Sequence, residues 1–448
     1  MKLMTLLLSF SMSTLLFAND INNASFDNSQ LFVKLKEGTQ LPQSNLIKSS
    51  KHLFGQNYLV QTSDAKALQT QLNKLSEIAA TQLNYKSEAK ILPKVQRVKN
   101  NEPMDNFQFF NDPRVGRIWA FRDANDNGVS VERSYLSPLN VNKEEVIVAV
   151  VDTGVDYNHE DLKNVMWKNT NEIEGNGIDD DNNGYIDDIY GIDPLSDDTD
   201  PMASHAHGTH VAGTIGAEQN NRTGIAGIAS NARIMAIRTV PDSSDETDAD
   251  VVESFLYAAK HGARIINCSF GKRNNEGGMI VNETIDHIGE KYKTLVIAAA
   301  GNDYGRDIDT RLVYPASFQS DYLMVVASTT KRGGLSWFSN VGAKNVDVAA
   351  PGSGVYSTTP GNNYGNMSGT SMAAPTTAGV AAEVLSHFPQ LDAISLKKVL
   401  MDSVTKVSSF EGKMASGGRV DLFKTLEQTL KNLDQIISEQ NTRTINKK

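Results

Sequence analysis

"EVIVAVVD", residues 145–152, is a nearly unbroken run of Val, Ile and Ala that ends on an aspartate. A strand with one wet face alternates apolar and polar side chains, whereas a run without alternation suits a strand covered on both faces, as in a parallel sheet between helices. Four further stretches read the same way: "ARIMAIRTV" (232–240), "ARIINCSFG" (263–271), "TLVIAAAGN" (294–302) and "YLMVVAST" (322–329). Segments with helical spacing lie between them, such as "DADVVESFLYAAKHG" (248–262). The predicted fold class is therefore α/β, a parallel sheet flanked by helices, with functional groups gathered at the carboxyl ends of its strands.

Upstream the rhythm differs. "LFVKLKEG" (31–38) and "NYLVQTS" (57–63) alternate like half-buried strands, and "DAKALQTQLNKLSEI" (64–78) has helical spacing with Asp64 placed as an N-cap. These predict a small α+β unit over residues 19–110, closed by the polar stretch "NNEPMDNFQ". The first eighteen residues, "MKLMTLLLSFSMSTLLFA", have a lysine, an apolar run and a terminal alanine, the layout of a cleavable export signal. No later segment is apolar enough to cross a bilayer. Residues 431–448 read as a polar, frayed tail.

The 448 residues carry a net charge of −10, which argues against nucleic acid as a partner, because phosphate binding requires a basic surface. Cys268 is the single cysteine, so no internal disulfide forms, and it reads as a small buried residue. Charge is uneven: from Glu172 to Asp200 there are eleven carboxylates and no Lys or Arg, whereas residues 19–110 are mildly basic. So dense a cluster needs water or cations around it.

Three polar signatures stand at element ends. "VVDTG" puts Asp152 at the end of the first long strand, "AAAGN" puts Asn302 at the end of another, and "GTSMAAP" puts Ser371 where a Gly-containing loop enters an Ala-rich helix. "ASHAHGTHVAGT" (203–214) adds His205, His207 and His210. Singly, an aspartate after a strand is a cap, an asparagine after glycine is a turn, and a serine at a helix start is an N-cap. Acyl transfer by a serine needs a base, a carboxylate to orient that base, and a donor for the oxyanion. Ser371, His207, Asp152 and Asn302 fill those roles once each.

The order Asp, His, Ser, with "VAVVDTGVDYNHEDL", "HGTHVAGT", "AAAGN" and "GTSMAAP" around it, resembles the subtilases, the subtilisin-like serine proteases, over roughly residues 111–425. The resemblance implies a subtilisin-like sheet flanked by helices over 111–430, preceded by a propeptide over 19–110 that assists folding, blocks the cleft and is removed by the enzyme itself near Asn106 to Asn111. It makes His207 the base, leaving His210 as a packed, hydrogen-bonded histidine and His205 in a solvated loop. It implies a peptide-binding strip at Ser269, Phe270 and Gly271, and a specificity-pocket wall at Ala299, Ala300 and Gly301; a cut after Phe109 or Phe110 would point to large apolar side chains in that pocket. Because the base must start neutral, activity is expected to fall as pH drops through about 7.

Structural calcium is expected twice. In "DDDNNGYIDD" (179–188) Asp179, Asp181 and Asn183 alternate as in the first half of a calcium loop, and Asp187 or Asp188 would complete a looser site, Tyr190 standing where a helix–loop–helix site would need glutamate. "DANDNG" (123–128) repeats the alternation more weakly. By resemblance, "EQNNRTGIAGIA" is a subtilase calcium loop, which suggests Asn221, Thr223 and Ile225 with the distant Asp161 and an N-terminal ligand the sequence does not place. The expectation is an exported, monomeric, calcium-stabilised endopeptidase acting on proteins or peptides, with its own propeptide as inhibitor and no membrane partner after signal removal. Two rivals stand beside it: a zinc hydrolase built on His205, His207 and His210, and a non-catalytic calcium-binding surface protein.

Overall fold

The computed structural model describes residues 24–87, 92–96, 104–140, 143–242, 246–273 and 279–446. The expected leader, residues 1–18, lies outside them. The N-terminal unit consists of β1 (Phe26–Leu35), β2 (Ile47–Phe54), β3 (Asn57–Thr62), α1 (Ala65–Leu72) and β4 (Ile78–Tyr85), with the sheet ordered β2-β3-β1-β4 and its pairs antiparallel. Successive strand side chains point to opposite faces. Leu31, Val33 and Leu35 accordingly pack with Leu68 and Leu72 of α1, while Phe32 turns the other way and joins the large core of the downstream domain. Asp64 caps α1 as expected, accepting from Ala67 N. The helix nonetheless stops at Leu72 rather than running to residue 78, because from Ile78 onward the chain pairs with β1.

The downstream domain runs through α2 (Val131–Tyr135), β5 (Val146–Asp152), β6 (Gly191–Ile192), α3 (Ala206–Gly216), β7 (Ala232–Arg238), α4 (Asp248–Lys260), β8 (Ile265–Cys268), α5 (Ile280–Tyr292), β9 (Leu295–Ala299), β10 (Leu323–Thr329) and β11 (Val348–Pro351). The hairpin β12 (Val355–Thr359) and β13 (Asn363–Met367) follows, then α6 (Thr370–His387), α7 (Ala393–Asp402), β14 (Thr405–Lys406), β15 (Gly418–Arg419), α8 (Leu422–Lys431) and α9 (Leu433–Asn446). A nine-stranded sheet is ordered β14-β15-β11-β10-β9-β8-β5-β7-β6, parallel except at β14–β15. The five apolar runs are β5, β7, β8, β9 and β10, and β8, β9 and β10 are buried throughout. Cys268 is fully buried at the end of β8.

Chain order reverses at β5, which has β7 on one side and β8 on the other. In open α/β sheets the crevice at the carboxyl ends beside such a reversal receives the ligand. Asp152 ends β5 at that point.

The N-terminal sheet docks on α4 and α5. Lys34 pairs with Glu283 at 2.9 Å and Lys51 with Glu253 at 3.0 Å. The first turns of both helices, whose N–H groups have no partner within the helix, are met by side chains of β4: Asn84 Oδ1 accepts from Ala249 N at 3.0 Å and Gln82 Oε1 from Ile280 N at 3.1 Å.

The stretch expected to fray is instead helical to Asn446. Arg443 reaches Asp392 at 3.1 Å, and Gln440 Oε1 accepts from Asp392 N at 2.9 Å, so its polar side chains fasten it to the start of α7. Among the described residues no helix is long and apolar enough to cross a membrane.

Candidate active site

Asp152 and His207 meet because their elements approach closely. A side chain on Gly208 would collide with the Gly154 carbonyl and lie 3.2 Å from Asp152 Cβ, so only glycine lets α3 sit against the end of β5. His207 Nδ1 is 2.7 Å from Asp152 Oδ1, both residues are 1% exposed, and Thr153 N donates to the same oxygen at 2.8 Å. A carboxylate only accepts, so Nδ1 carries the proton and Nε2 is the basic nitrogen. That Nε2 is buried without a partner among the described residues.

Ser371 opens α6. Its Oγ donates to the Ser269 carbonyl at 3.1 Å, and the Ser269 hydroxyl donates to the Ser371 carbonyl at 3.0 Å. The second bond has a sequence cause. Pro375, four residues on, has no N–H with which to meet the Ser371 carbonyl, and the Ser269 hydroxyl takes its place. Ser269 directly follows β8, whose Cys268 pairs with Val151 of β5, so the nucleophile candidate lies beside the strand that ends on Asp152.

Asn302 follows Gly301, whose φ of +99° turns the chain out of β9. Asn302 Oδ1 accepts from Thr370 N at 2.9 Å and Thr370 Oγ1 at 3.0 Å. A backbone N–H can only donate, which fixes the amide's orientation and points Nδ2 outward. A Cβ placed on Gly369 would lie 3.5 Å from Ser371 N and 3.6 Å from Asn302 Nδ2. Both donors therefore face one space in front of α6.

The three histidines do not converge. His205 caps α3, its Nδ1 accepting from His207 N at 3.1 Å; it is half-buried, and burial together with His207 pulls its pKa below the usual value. His210 Nε2 lies 2.9 Å from the Val355 carbonyl and 3.2 Å from that of Gly365, tying α3 to the β12–β13 hairpin. Each ring thus has a different neighbour to serve, and no zinc site forms from them. The strip Ser269, Phe270, Gly271 follows β8, while Ala299 is the last residue of the adjacent β9 and Ala300 and Gly301 follow it, with Asn340 Nδ2 donating to the Ala300 carbonyl at 2.9 Å.

Among the described residues, the acidic side chains whose ligand atoms gather within 4.8 Å of one another are Glu172, Asp179 and Asp181. Asp179 and Asp181 were expected; Glu172, seven residues before the motif and buried, was not. Asn183 braces the loop, its N–H bonding both Asp179 and Asp181 at 3.0 Å. Asp187 and Asp188 do not join the cluster. Asp187 accepts three backbone N–H groups from Gly175, Asn176 and Gly177, and Asp188 accepts from Asn169, Asn183 and Tyr257. In "DANDNG", Asp123 pairs with Arg133. The residues of the second expected site are neighbours joined by hydrogen bonds: Asn221 Nδ2 donates to Asp161 Oδ1 at 2.9 Å, Ile225 N to Asp161 Oδ2 at 2.8 Å, and Thr223 N to Asn221 Oδ1 at 2.7 Å. Asp112, which the sequence reading missed, bonds Asn220 N and Asn221 N of the same loop; burial pushes its carboxyl up, and the Asp161 charge adds to that.

Comparison with known proteins agrees with this geometry. A family model described as the subtilase family matches residues 143–420. Subtilisin-like protease 1 of Plasmodium berghei is 33% identical over 317 residues, covering 67% of this chain and 52% of that protein. The halolysin-like extracellular serine protease Nep of Natrialba magadii is 33% identical over 330 residues, covering 73% and 54%. Among solved structures, fervidolysin from Fervidobacterium pennivorans shares the fold with a TM-score of 0.68 at 23% identity, over 90% of this chain and 61% of that one. The chain spans about half the length of these two curated relatives.

Proposed function

The chain belongs to the subtilase family, and we propose that it is a serine endopeptidase that hydrolyses peptide bonds in proteins through an acyl-enzyme. Ser371 Oγ leaves its hydrogen bond with the Ser269 carbonyl, turns to His207 and attacks the substrate carbonyl while His207 Nε2 takes the proton. Nε2 then delivers that proton to the leaving amine, and Asp152 stabilises the imidazolium in between. Asn302 Nδ2 and Ser371 N donate to the oxyanion. Water repeats the cycle on the acyl-enzyme and frees Ser371. The observation that supports this best is the pairing of His207 Nδ1 with buried Asp152 at 2.7 Å, which leaves a basic Nε2 with no other partner among the described residues. The strip at Ser269 to Gly271 would receive the substrate main chain, and Ala299 to Gly301 would wall its pocket.

The N-terminal segment that carries the four-stranded sheet acts as a folding aid and inhibitor that the enzyme removes. The Lys34 and Lys51 ion pairs with α4 and α5 and the helix-capping amides of β4 support this reading. The protein is exported through residues 1–18 and works as a monomer; a relative described as extracellular supports the location.

Calcium would be held at Glu172, Asp179 and Asp181. Three carboxylates that close, with no Lys or Arg between residues 172 and 200, fit a hard cation with oxygen ligands. Asp161 and Asp112, both buried and near each other, fit a second ion with the Asn221, Thr223 and Ile225 loop. Bound there, calcium would supply cross-links to a chain without disulfides.

The deciding experiment expresses the intact chain beside Ser371→Ala and follows the N-terminal segment, casein hydrolysis and labelling by a fluorophosphonate. Loss of the segment, hydrolysis and labelling are expected for the first chain only. Hydrolysis by Ser371→Ala, or hydrolysis abolished by a chelator and restored by zinc, overturns the assignment.

A further inference from the structure

Two stretches of the N-terminal segment are fastened on opposite sides of Ser371. On one side Lys86 pairs antiparallel with Thr247, and Ser87 N donates to the Glu246 carbonyl at 2.9 Å, in a cleft that Phe270 and Gly271 also line. On the other side Pro93 packs on Gly369: its Cγ lies 3.5 Å from the point where a Gly369 Cβ would stand, the same point that Ser371 N and Asn302 Nδ2 face. Three residues on, Gln96 N donates to the Asn366 carbonyl at 2.7 Å and Asn366 N to the Gln96 carbonyl at 3.2 Å. This reciprocal antiparallel pair lies on the edge of β13 not used by β12.

Gly365 makes that edge selective. The three atoms nearest to where its Cβ would be all belong to this segment: Val95 Cγ1 inside van der Waals contact, the Gln96 carbonyl oxygen at 3.6 Å and Val95 Cβ at 3.9 Å. The missing side chain therefore leaves room for a bound chain.

The stretch around Asn106 to Asn111 is held elsewhere. Arg122 pairs with Asp105 through two bonds of 2.7 and 2.9 Å, Glu132 Oε1 accepts from Phe109 N at 3.1 Å, and buried Phe110 packs with its ring centroid 5.0 Å from that of Phe121. Asn111 N bonds Asn220 Oδ1 at 3.0 Å. Residues 105–112 thus pack as part of the downstream domain.

We propose that the β13 edge at Gly365 and Asn366, with Gly369, is the docking edge for the leaving-group side of a bound chain, occupied before processing by residues 92–96 of this protein, so that self-cleavage falls upstream of Pro93 and not at Asn106 to Asn111. The inference rests on the proteolytic reading above. The cut breaks one C–N bond and consumes one water. The half carrying the four-stranded sheet ends in a new carboxylate, and the half containing Pro93 gains the amine, which receives its proton from His207. Gly365 is then a specificity-determining residue: it admits a branched side chain two positions beyond the substrate residue that packs on Gly369.

Two measurements on the full chain test this. N-terminal sequencing of the earliest processed product should find Pro93 retained, whereas a first product beginning within 106–112 overturns the proposal. If the wild-type chain neither processes itself nor takes a fluorophosphonate label, the proteolytic reading fails instead, so the two failures are distinguishable. Second, quenched peptides carrying Leu-Pro-Lys-Val-Gln or Leu-Pro-Lys-Gly-Gln on the leaving side are compared on wild type, Gly365→Ala and Gly365→Val. The bulkier variant should lower kcat/KM for the valine peptide about tenfold relative to the glycine peptide, the size of a contact coupling of order 1.4 kcal/mol, with Gly365→Ala between. Equal loss on both peptides in both variants, as a purely structural role would give, overturns it.

Discussion

Mild acid should weaken this fold through His210, and the size follows from how its ring is held. Nε2 faces two carbonyls, Val355 at 2.9 Å and Gly365 at 3.2 Å, and carbonyls only accept, so Nε2 carries the proton. Nδ1 is buried without a partner among the described residues. A second proton there would create a buried cation with an unsatisfied N–H. Burial, with the neighbouring His207 adding to it, lowers the ring's pKa from 6.5 to about 3. Between those values the unfolded chain binds a proton that the folded chain refuses. The stability owed to the neutral ring is therefore complete above pH 6.5 and falls as pH drops through the window toward 3. One pH unit inside the window corresponds to about 1.4 kcal/mol, so acidification from pH 7 to 5 should remove roughly 2 kcal/mol through this one ring. The assay is urea unfolding of the Ser371→Ala chain, which cannot digest itself, with and without His210→Gln. The glutamine amide can still donate to a carbonyl but does not titrate. The His210→Gln chain should start less stable at pH 7, yet lose about 2 kcal/mol less on acidification. Parallel losses in the two chains would refute the reasoning.

Asn302→Ala should lower kcat by ~10²-fold with KM little changed, the size of the loss when the corresponding donor of subtilisin is removed; unchanged turnover in single-turnover kinetics would remove Asn302 from the oxyanion site. Calcium at ~100 times its dissociation constant should stabilise the Ser371→Ala chain by about 2.7 kcal/mol. A chelator should then lower its Tm, and lower it less in Glu172→Gln with Asp179→Asn; identical melting with and without chelator would end the idea. Burial alone would raise the pKa of Glu383, but bonds from His387 and Lys143 outweigh it and hold the carboxyl at about 2. Glu383→Gln leaves the nearly buried Lys143 without its counter-charge and should cost about 3 kcal/mol, read as a lower urea midpoint; a cost under about 0.5 kcal/mol would show the pair to behave like a surface one.

What the sequence showed was what local pattern can encode. Unalternating Val, Ile and Ala runs marked β5, β7, β8, β9 and β10, and the residues at their carboxyl ends marked Asp152, Ser269 and Asn302. What it hid were partners chosen by three-dimensional approach. Glu172 joins Asp179 and Asp181 only because the loop folds back, and Asp112 meets the 220–225 loop across more than a hundred residues. β2 was unread because "IKSSKHLF" is mostly exposed; cross-strand pairing with β3 makes it a strand, not burial. The helix expected to residue 78 lost its last turn to pairing with β1, and the tail expected to fray is held by Arg443 and Gln440 at the start of α7. In each case a tertiary contact outweighed a weak local preference.

The same distinction bears on how this cleft chooses a chain. On both sides of Ser371 the N-terminal segment is held by main-chain bonds, Ser87 to Glu246 and Gln96 to Asn366, which any sequence without proline at those positions can make. Such bonds give affinity without selectivity, so on the proposed reading discrimination would come from the spaces left by absent side chains, at Ala299 to Gly301 on one side and at Gly365 on the other. The segment out-competes other chains because it is tethered, and a tether holds an effective concentration in the millimolar range. A cut upstream of Pro93 removes the tether from the four-stranded sheet but not from residues 92–96, whose downstream attachment at Asp105 to Asn111 survives. Each flank is then released by a different event: the sheet by withdrawing Phe32 and the β4 amides from the downstream domain and breaking the Lys34 and Lys51 ion pairs, the part that salt weakens, and residues 92–96 only by a second cut or by a substrate that displaces Gln96 from Asn366. Activity appearing in two phases after mixing, with high salt accelerating the first and leaving the second, is the consequence that a single release step cannot produce.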